Sequence, residues 1–443
     1  MTHVVIFIFW VFVLASALYF LPFFRNIKGL EYKWLLGFFL LKIIAGQIFI
    51  FIYTYYFDPA TADLHRFFNE SLVFYQIWQQ NPADFFRLFV SNTALHPHLA
   101  EYYPQLHLWH YAELSPVFND NKIVIGFNAL ANLLTSASLH SNAVIANFVS
   151  LAGLTALFKF ALCYTAPGKW NWLKYGIFLF PSVLFWGSGL IKEIFLIPAM
   201  GFFIFSVAKV DLQVGNPKLR WLYLAISAFI MLLVKTYVLV LLLPVLAAWF
   251  LEKRKKLLVT GMWFIVVPVF TMLSVWVTGM VFPEFNFMAL IAKRQNFFMN
   301  FSLWVEAGSI IHEVFLQPTL TSILQYAPRA FFNVLMFPHI LQQQSIVSLY
   351  AALENLIIIA MLVGITFSAI RRKGMDRTQW LCLIFLVLIF TFVGTMNQVS
   401  GTLVRLKIPA LPFLWILFVG LVPVEEVKNK IMSRFGHKKT TGN

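Results

Sequence analysis

Apolar residues in this chain do not alternate with polar ones. They run together for about twenty positions at a time, the length at which an α-helix crosses about 30 Å of hydrocarbon. Such runs occupy 4–24, 34–56, 140–162, 175–191, 193–209, 221–236, 237–251, 257–281, 346–370, 380–397 and 407–423. They predict an all-α, polytopic transmembrane helical protein of about 11 spans, because a membrane barrel would show shorter, alternating segments. Two long stretches, 57–139 and 282–345, interrupt the series. In the first, aromatic and polar residues interleave, with Phe67-Phe68, Phe74-Tyr75 and Trp78 followed by Pro82 to Phe89. That spacing predicts amphipathic helices lying in the membrane interface, and the pattern around 319–336 predicts another in the second stretch. Residues 123–134 predict a partial or re-entrant apolar helix. The first run reads as a span, not a signal peptide, since Met1-Thr-His lacks a basic region and no small-x-small cleavage site follows.

Composition strengthens the membrane assignment. Of 443 residues, 60% are hydrophobic and 12% charged, a balance that would leave a soluble domain of this length with a largely apolar surface. The chain is expected to form a single integral membrane domain over 1–443, ending in a basic cytoplasmic tail at 424–443.

The net charge of +15 suggests a polyanionic partner until the cations are placed. They gather in alternate loops: Arg25, Lys28 and Lys33; Lys169 and Lys174; Lys209, Lys218 and Arg220; Lys253 to Lys256; Arg371 to Lys373 with Arg377; and the tail. This is the positive-inside pattern, so these loops are expected in the cytoplasm and no nucleic-acid partner is expected. The N-terminus and both long stretches then fall outside. Cys163 and Cys382 lie at or in apolar runs with no CxxC spacing and specify no redox compartment.

Against that topology, a few ionisable residues stand out on the outer side. Asp58, Asp63, His65, Arg66 and Glu70 follow directly on the second span, either as a solvated loop entry or as a site of chemistry. Pro181 to Glu193 ends a span in Gly187-Ser188-Gly189 and then Lys192-Glu193. This pair either closes a hairpin as a structural ion pair or offers Lys192 to a lipid-carrier phosphate. Lys235 occupies the next outer hairpin. Gln398 to Pro412 carries Arg405 and Lys407, which either snorkel to the interface or, for Arg405, grip a phosphate in a two-point contact. Lys42, Glu354 and Asn355 are buried polar residues expected to pair with neighbouring helices. His96 and His98, and His107 and His110, form close pairs but lack the three or four convergent ligands of a zinc site. No P-loop, nucleotide fingerprint, GxSxG or HExxH occurs, which argues against ATP-driven chemistry.

The acidic outer stretch, the amphipathic helices after it, Pro181-Ser-Val-Leu-Phe-Trp-Gly-Ser-Gly-Leu-Ile-Lys-Glu193 and Arg405-Leu-Lys-Ile-Pro-Ala-Leu-Pro412 resemble the polytopic C-type (GT-C) glycosyltransferases. They are similar also to bacterial membrane proteins of polysaccharide gene clusters. In the family the acidic loop follows the first span; here it follows the second. The resemblance implies a polyprenyl-phosphate sugar donor drawn from the bilayer. It further implies inverting transfer to a glycan or lipid-linked acceptor on the extracytoplasmic face of the inner membrane. By the same resemblance Asp63 is the expected base, with Asp58 second. Lys192, Glu193, Lys235, Arg405, His65 and Gln398 are the expected substrate and phosphate contacts. A divalent metal on an outer acidic residue is left open, since no ligand spacing specifies one. Two other functions fit the pattern: a polysaccharide polymerase or ligase working through 282–345 with His312, Arg329 and His339, and a flippase or other transporter. A transporter would be expected to place ionisable residues near the midplane of repeated halves.

Overall fold

The structure, a computed structural model, describes residues 2–90, 96–110, 119–254, 261–342, 345–372 and 374–425. The expected tail beyond Glu425, and Lys255, Lys256 and Lys373, lie outside the described residues. The chain begins with α1 (Thr2–Phe20), α2 (Tyr32–Tyr55), α3 (Asp63–Gln80), α4 (Pro82–Val90), α5 (His107–His110) and α6 (Asn121–Thr135). It continues with α7 (Leu139–Tyr164), α8 (Trp170–Leu179), α9 (Pro181–Trp186), α10 (Glu193–Leu212), α11 (Pro217–Arg254) and α12 (Trp263–Val281). The last six are α13 (Phe287–Trp304), α14 (Leu320–Met336), α15 (Ile346–Arg372), α16 (Arg377–Met396), α17 (Ser400–Leu406) and α18 (Leu411–Leu421). Among the described residues there is no strand, only isolated bridges at Ile27–Leu30 and Ile310–Val399.

Among the described residues, 9 helices are long and apolar enough to cross a membrane, with α17 and α18 counted together. The chain is an all-α membrane protein. Three of the expected spans take a different form. The run 175–191 breaks at Phe180, whose ψ of 124° leaves the helical region ahead of Pro181. Proline lacks an N–H and crowds the residue before it, so α8 stops and α9 restarts. The runs 221–236 and 237–251 are the two halves of α11, which breaks at Lys235 (φ −151°, ψ 84°).

By internal packing the chain divides into two units: Met1–Cys163 with Phe178–Leu239, and Tyr164–Ile177 with Val240–Asn443. In the first, α7 and α10 cross so closely that a Cβ on Gly201 would stand 2.0 Å from the Gly153 carbonyl oxygen. Small residues let helix backbones approach where lipid offers no hydrophobic drive to association. A buried amide network joins α3, α6 and α7. The Asn142 amide donates to the side-chain carbonyls of Asn128 (3.0 Å) and Asn132 (2.7 Å), and Asn132 donates to Ser71 Oγ (3.0 Å). The amphipathic helices α3 and α4 turn their aromatic faces to each other. Phe74 meets Phe89 at 5.1 Å and Trp109 of α5 at 4.7 Å between ring centres.

In the second unit α16 packs on α14, where Gly394 faces the Ala330 carbonyl, and on α18, where Phe385 meets Phe413 at 4.9 Å. Lys407 is fully buried, 3.7 Å from Glu354 and hydrogen-bonded to the Asn355 side chain. Lys407 is therefore an internal ion-pair partner, not a snorkelling cation.

Within each unit, loops expected on one side of the membrane do meet. In the first, Lys159 donates to the Phe23 carbonyl and lies near Lys209, whose carbonyl Arg220 reaches. In the second, Lys169 donates to the carbonyls of Val419 (2.7 Å), Gly420 (2.8 Å) and Val422 (3.2 Å), and Arg372 donates to Gly420. A cation at the open carbonyls of α18 satisfies groups that have no helical partner. Burial, helped by Arg372, holds the Lys169 ammonium down to about 8.

Candidate functional site

The residues singled out in 56–70 sit where α2 ends and α3 begins. Asp58 caps its own turn, its Oδ1 accepting the Ala60 N–H at 3.0 Å. Asp63 is the first residue of α3, where the positive end of the helix dipole favours a carboxylate. His65 lies one residue beyond the Leu64 that α3 buries, with Nε2 3.0 Å from Thr54 Oγ1. The Thr54 hydroxyl hydrogen is spent on the Ile50 carbonyl at 2.7 Å. His65 must therefore donate, which places the proton on Nε2. Burial holds this imidazole below its ordinary value. His65 thus ties α3 to the end of α2.

Lys192 and Glu193 separate. Lys192 directly precedes α10 and pairs with Asp120 at 2.8 Å, at the entrance of α6. The Lys192 side chain is 16% exposed and that of Asp120 43%, so the pair is reachable from solvent. The same ammonium stands 5.8 Å from the Phe67 ring centre. Phe67 follows Asp63 by one turn on the same face of α3. Glu193 instead points inward, its Oε1 accepting Lys235 Nζ at 2.7 Å. Lys235 is the residue at which α11 breaks, so this ion pair holds a helix break in place.

Why the broken span is stable follows from Lys42. Gly187 and Ser188 leave the helix after α9 and expose backbone carbonyls inside the protein. Lys42 of α2 donates to Gly187 O at 2.7 Å and Ser188 Oγ at 3.1 Å, Ser150 of α7 to Gly187 O at 2.8 Å, and Asn147 to Ser188 O at 3.1 Å. Buried carbonyls without helical partners need such donors. Gly189 is required here for space: a Cβ would meet the Phe49 ring at 2.7 Å.

Gln398 and Arg405 belong to the second unit. Gln398 is 2% exposed and its amide is engaged on both sides. Its carbonyl accepts from Gln295 at 3.0 Å, and its NH₂ donates to the Thr395 carbonyl at 3.1 Å. Its backbone carbonyl takes the Ile311 N–H at 2.8 Å. Gln398 therefore pins the stretch after α13 to the break between α16 and α17. Arg405 stands half-buried in the last turn of α17.

Of the two histidine pairs, the first places His98 in a local bond. His98 and Arg87 both contact Asp84 Oδ1, at 3.0 and 2.8 Å, and together hold its carboxyl below its ordinary value. Among the described residues, no group of three or more His, Cys, Asp or Glu is placed to hold a metal ion.

Asp120, the partner of Lys192, escaped the sequence reading. Its only signal is position, just ahead of an apolar helical run, and that does not reveal which cation it meets. The pattern around Glu70 was visible but its role was not: its two oxygens accept the N–H groups of Leu108 (2.6 Å) and Trp109 (2.9 Å), capping α5. No family model matches the chain, and no curated protein or solved structure matches it.

Proposed function

We propose that this chain is an integral-membrane glycosyltransferase. It moves a sugar from a polyprenyl-phosphate donor to a glycan or lipid-linked acceptor, on the extracytoplasmic face of the inner membrane. One observation supports this above the others: a carboxylate at the start of α3 and an ammonium, Lys192, against the same face of α3 one turn on. Both stand where the chain leaves the apolar spans.

The chemistry those groups suit is displacement at an anomeric carbon. The acceptor hydroxyl oxygen forms the new bond to that carbon while Asp63 takes the hydroxyl proton. The bond from the anomeric carbon to the phosphate oxygen breaks, and its electron pair leaves on the polyprenyl phosphate. Lys192 neutralises that leaving charge by exchanging Asp120 for phosphate. In the second unit, Arg405 offers a planar fork suited to phosphate. Asp58, His65, Glu193 and Lys235 shape the site by holding the turns on which the reacting groups stand, and Gln398 braces the turn ahead of α17 in the second unit.

In cells lacking the native gene, Asp63→Asn, Lys192→Ala and Arg405→Ala variants that insert normally should abolish or sharply cut the glycan product. Mass spectrometry of intact lipid-linked glycans should then show a chain one sugar short, or a build-up of polyprenyl-phosphate sugar. Full glycan output from these variants would rule the site out, and an unchanged lipid-linked pool on gene loss would point to transport.

A polymerase reading draws on a different observation. His312 and His339 flank the Phe337 ring at 6.0 and 6.5 Å, and burial, with Arg329 nearby, holds His312 below its ordinary value. Accumulation of single repeat units, with sensitivity to alanine at His312 and not at Asp63, would select it.

A further inference from the structure

A pocket of about 340 Å³ opens on α3 and the entrance of α5, lined by Arg66, Asn69, Glu70, Val73, Gln105 and His107. Arg66, Asn69, Glu70 and Val73 repeat at helical spacing along one face of α3. Gln105 and His107 face them from the turn into α5.

The wall is rigid for identifiable reasons. Glu70 is 7% exposed, with both oxygens consumed by the Leu108 and Trp109 N–H groups. From the other side Asn119 donates to the carbonyls of Leu108 (2.6 Å) and Trp109 (3.1 Å). The Trp109 ring packs on Phe74 and Phe89. His107 therefore stands on a clamped turn beside α3. Glu70 lines the pocket with both oxygens occupied by those N–H groups and with Arg66 and His107 near its carboxylate, and Arg66, Asn69, Gln105 and His107 supply the pocket's donors. Among the described residues, no side-chain hydrogen bond forms on Arg66, Asn69, Gln105 or His107.

We propose that this pocket is a binding subsite for an anionic saccharide, one that carries a carboxylate or a phosphate. The guanidinium of Arg66 offers the fork that fits either anion, and His107 adds a further ring N–H. The amides of Asn69 and Gln105 each donate and accept, as sugar hydroxyls do. The volume lies at the small-ligand end of pocket sizes. Arg66 follows Asp63 by three residues, so a sugar held here lies beside the proposed base, on the acceptor side. The lining offers no apolar trough for a polyprenyl chain. That the anion is a saccharide rests on the transferase reading; that the pocket takes an anion rests on its lining alone.

The test is calorimetry on the full-length protein in lipid nanodiscs, titrated with digalacturonate, glucose 6-phosphate and the neutral disaccharide cellobiose. At least one anionic sugar should bind, and the tighter of the two identifies carboxylate or phosphate as the anion. Cellobiose should bind about tenfold more weakly, the loss that follows removal of one charge-assisted contact. Arg66→Ala should cost the anionic sugar about tenfold by the same reasoning, and Asn69→Trp, which fills the pocket from an exposed position, should also abolish binding. Lys218→Ala, at the start of α11, should leave it unchanged. Equal binding of cellobiose, no binding of either anion, or indifference to Arg66→Ala would overturn the assignment. Because calorimetry needs no turnover, anion binding by a chain that makes no transferase product would retain the pocket and reject the transferase. Full glycan output without anion binding would do the reverse.

Discussion

At the scale of single residues, several buried polar groups of this protein serve backbone that has left a helix. Lys42 donates from its ammonium to Gly187 and Ser188, Glu70 accepts the Leu108 and Trp109 N–H groups of α5, and the Gln398 carbonyl accepts the Ile311 N–H after α13. The backbone each one serves lies at a break or helix end, where N–H and C=O groups lose their helical partners. Glu70→Ala should therefore lower stability by about 2 kcal/mol, the order of cost for orphaning buried backbone donors. The expected readout is an earlier thermal unfolding midpoint in detergent, with faster proteolysis near His107–His110. An unshifted midpoint would mean that water satisfies those N–H groups.

Elements in turn are held together by close backbone contact at a few glycines. A Cβ at Gly153 would stand 2.1 Å from Pro198 Cα, and one at Gly201 2.0 Å from the Gly153 carbonyl oxygen, whereas Gly37 has nothing within 4 Å. No side-chain rotation relieves a clash with backbone. Gly201→Val should thus cost about 3 kcal/mol or more and yield an aggregated or poorly inserted protein. Gly37→Ala should be neutral or stabilising by up to about 1 kcal/mol, since alanine loses less entropy in a helix. Comparing the two by thermal unfolding separates helix crossing from helix propensity. The break in α11 belongs to the same scale: Lys235 leaves the helical region and is held by Glu193 at 2.7 Å.

For the whole molecule, each unit gathers its expected cytoplasmic loops at one end. Lys169, Arg372 and the carbonyls at Gly420 meet in the second unit, and Phe23, Lys159 and Arg220 lie within one set of contacts in the first. Single cysteines can test sidedness unit by unit in sealed vesicles with a membrane-impermeant thiol reagent. Val214→Cys and Ala60→Cys in the first unit should label from opposite faces, and so should Arg371→Cys and Gly308→Cys in the second. Labelling of both members of a pair from one face would refute the alternation of loops.

What the sequence determined by itself is the membrane class and the order of its helices. Run length and the placement of cations are local quantities, set by the bilayer's thickness and by the charge of the connecting loops. Gly187 to Gly189 likewise marked the end of a span from their own backbone chemistry, but the break at Phe180 fell inside a run read as one span. Only the tertiary structure decided which charges meet. Lys192 and Glu193 are neighbours in the chain, yet one goes to Asp120 and the other to Lys235; Lys407 goes inward to Glu354; and Gln398 braces a distant stretch. Partner choice depends on helix rotation and crossing, which arise from contacts far apart in sequence, and so no local pattern encodes it.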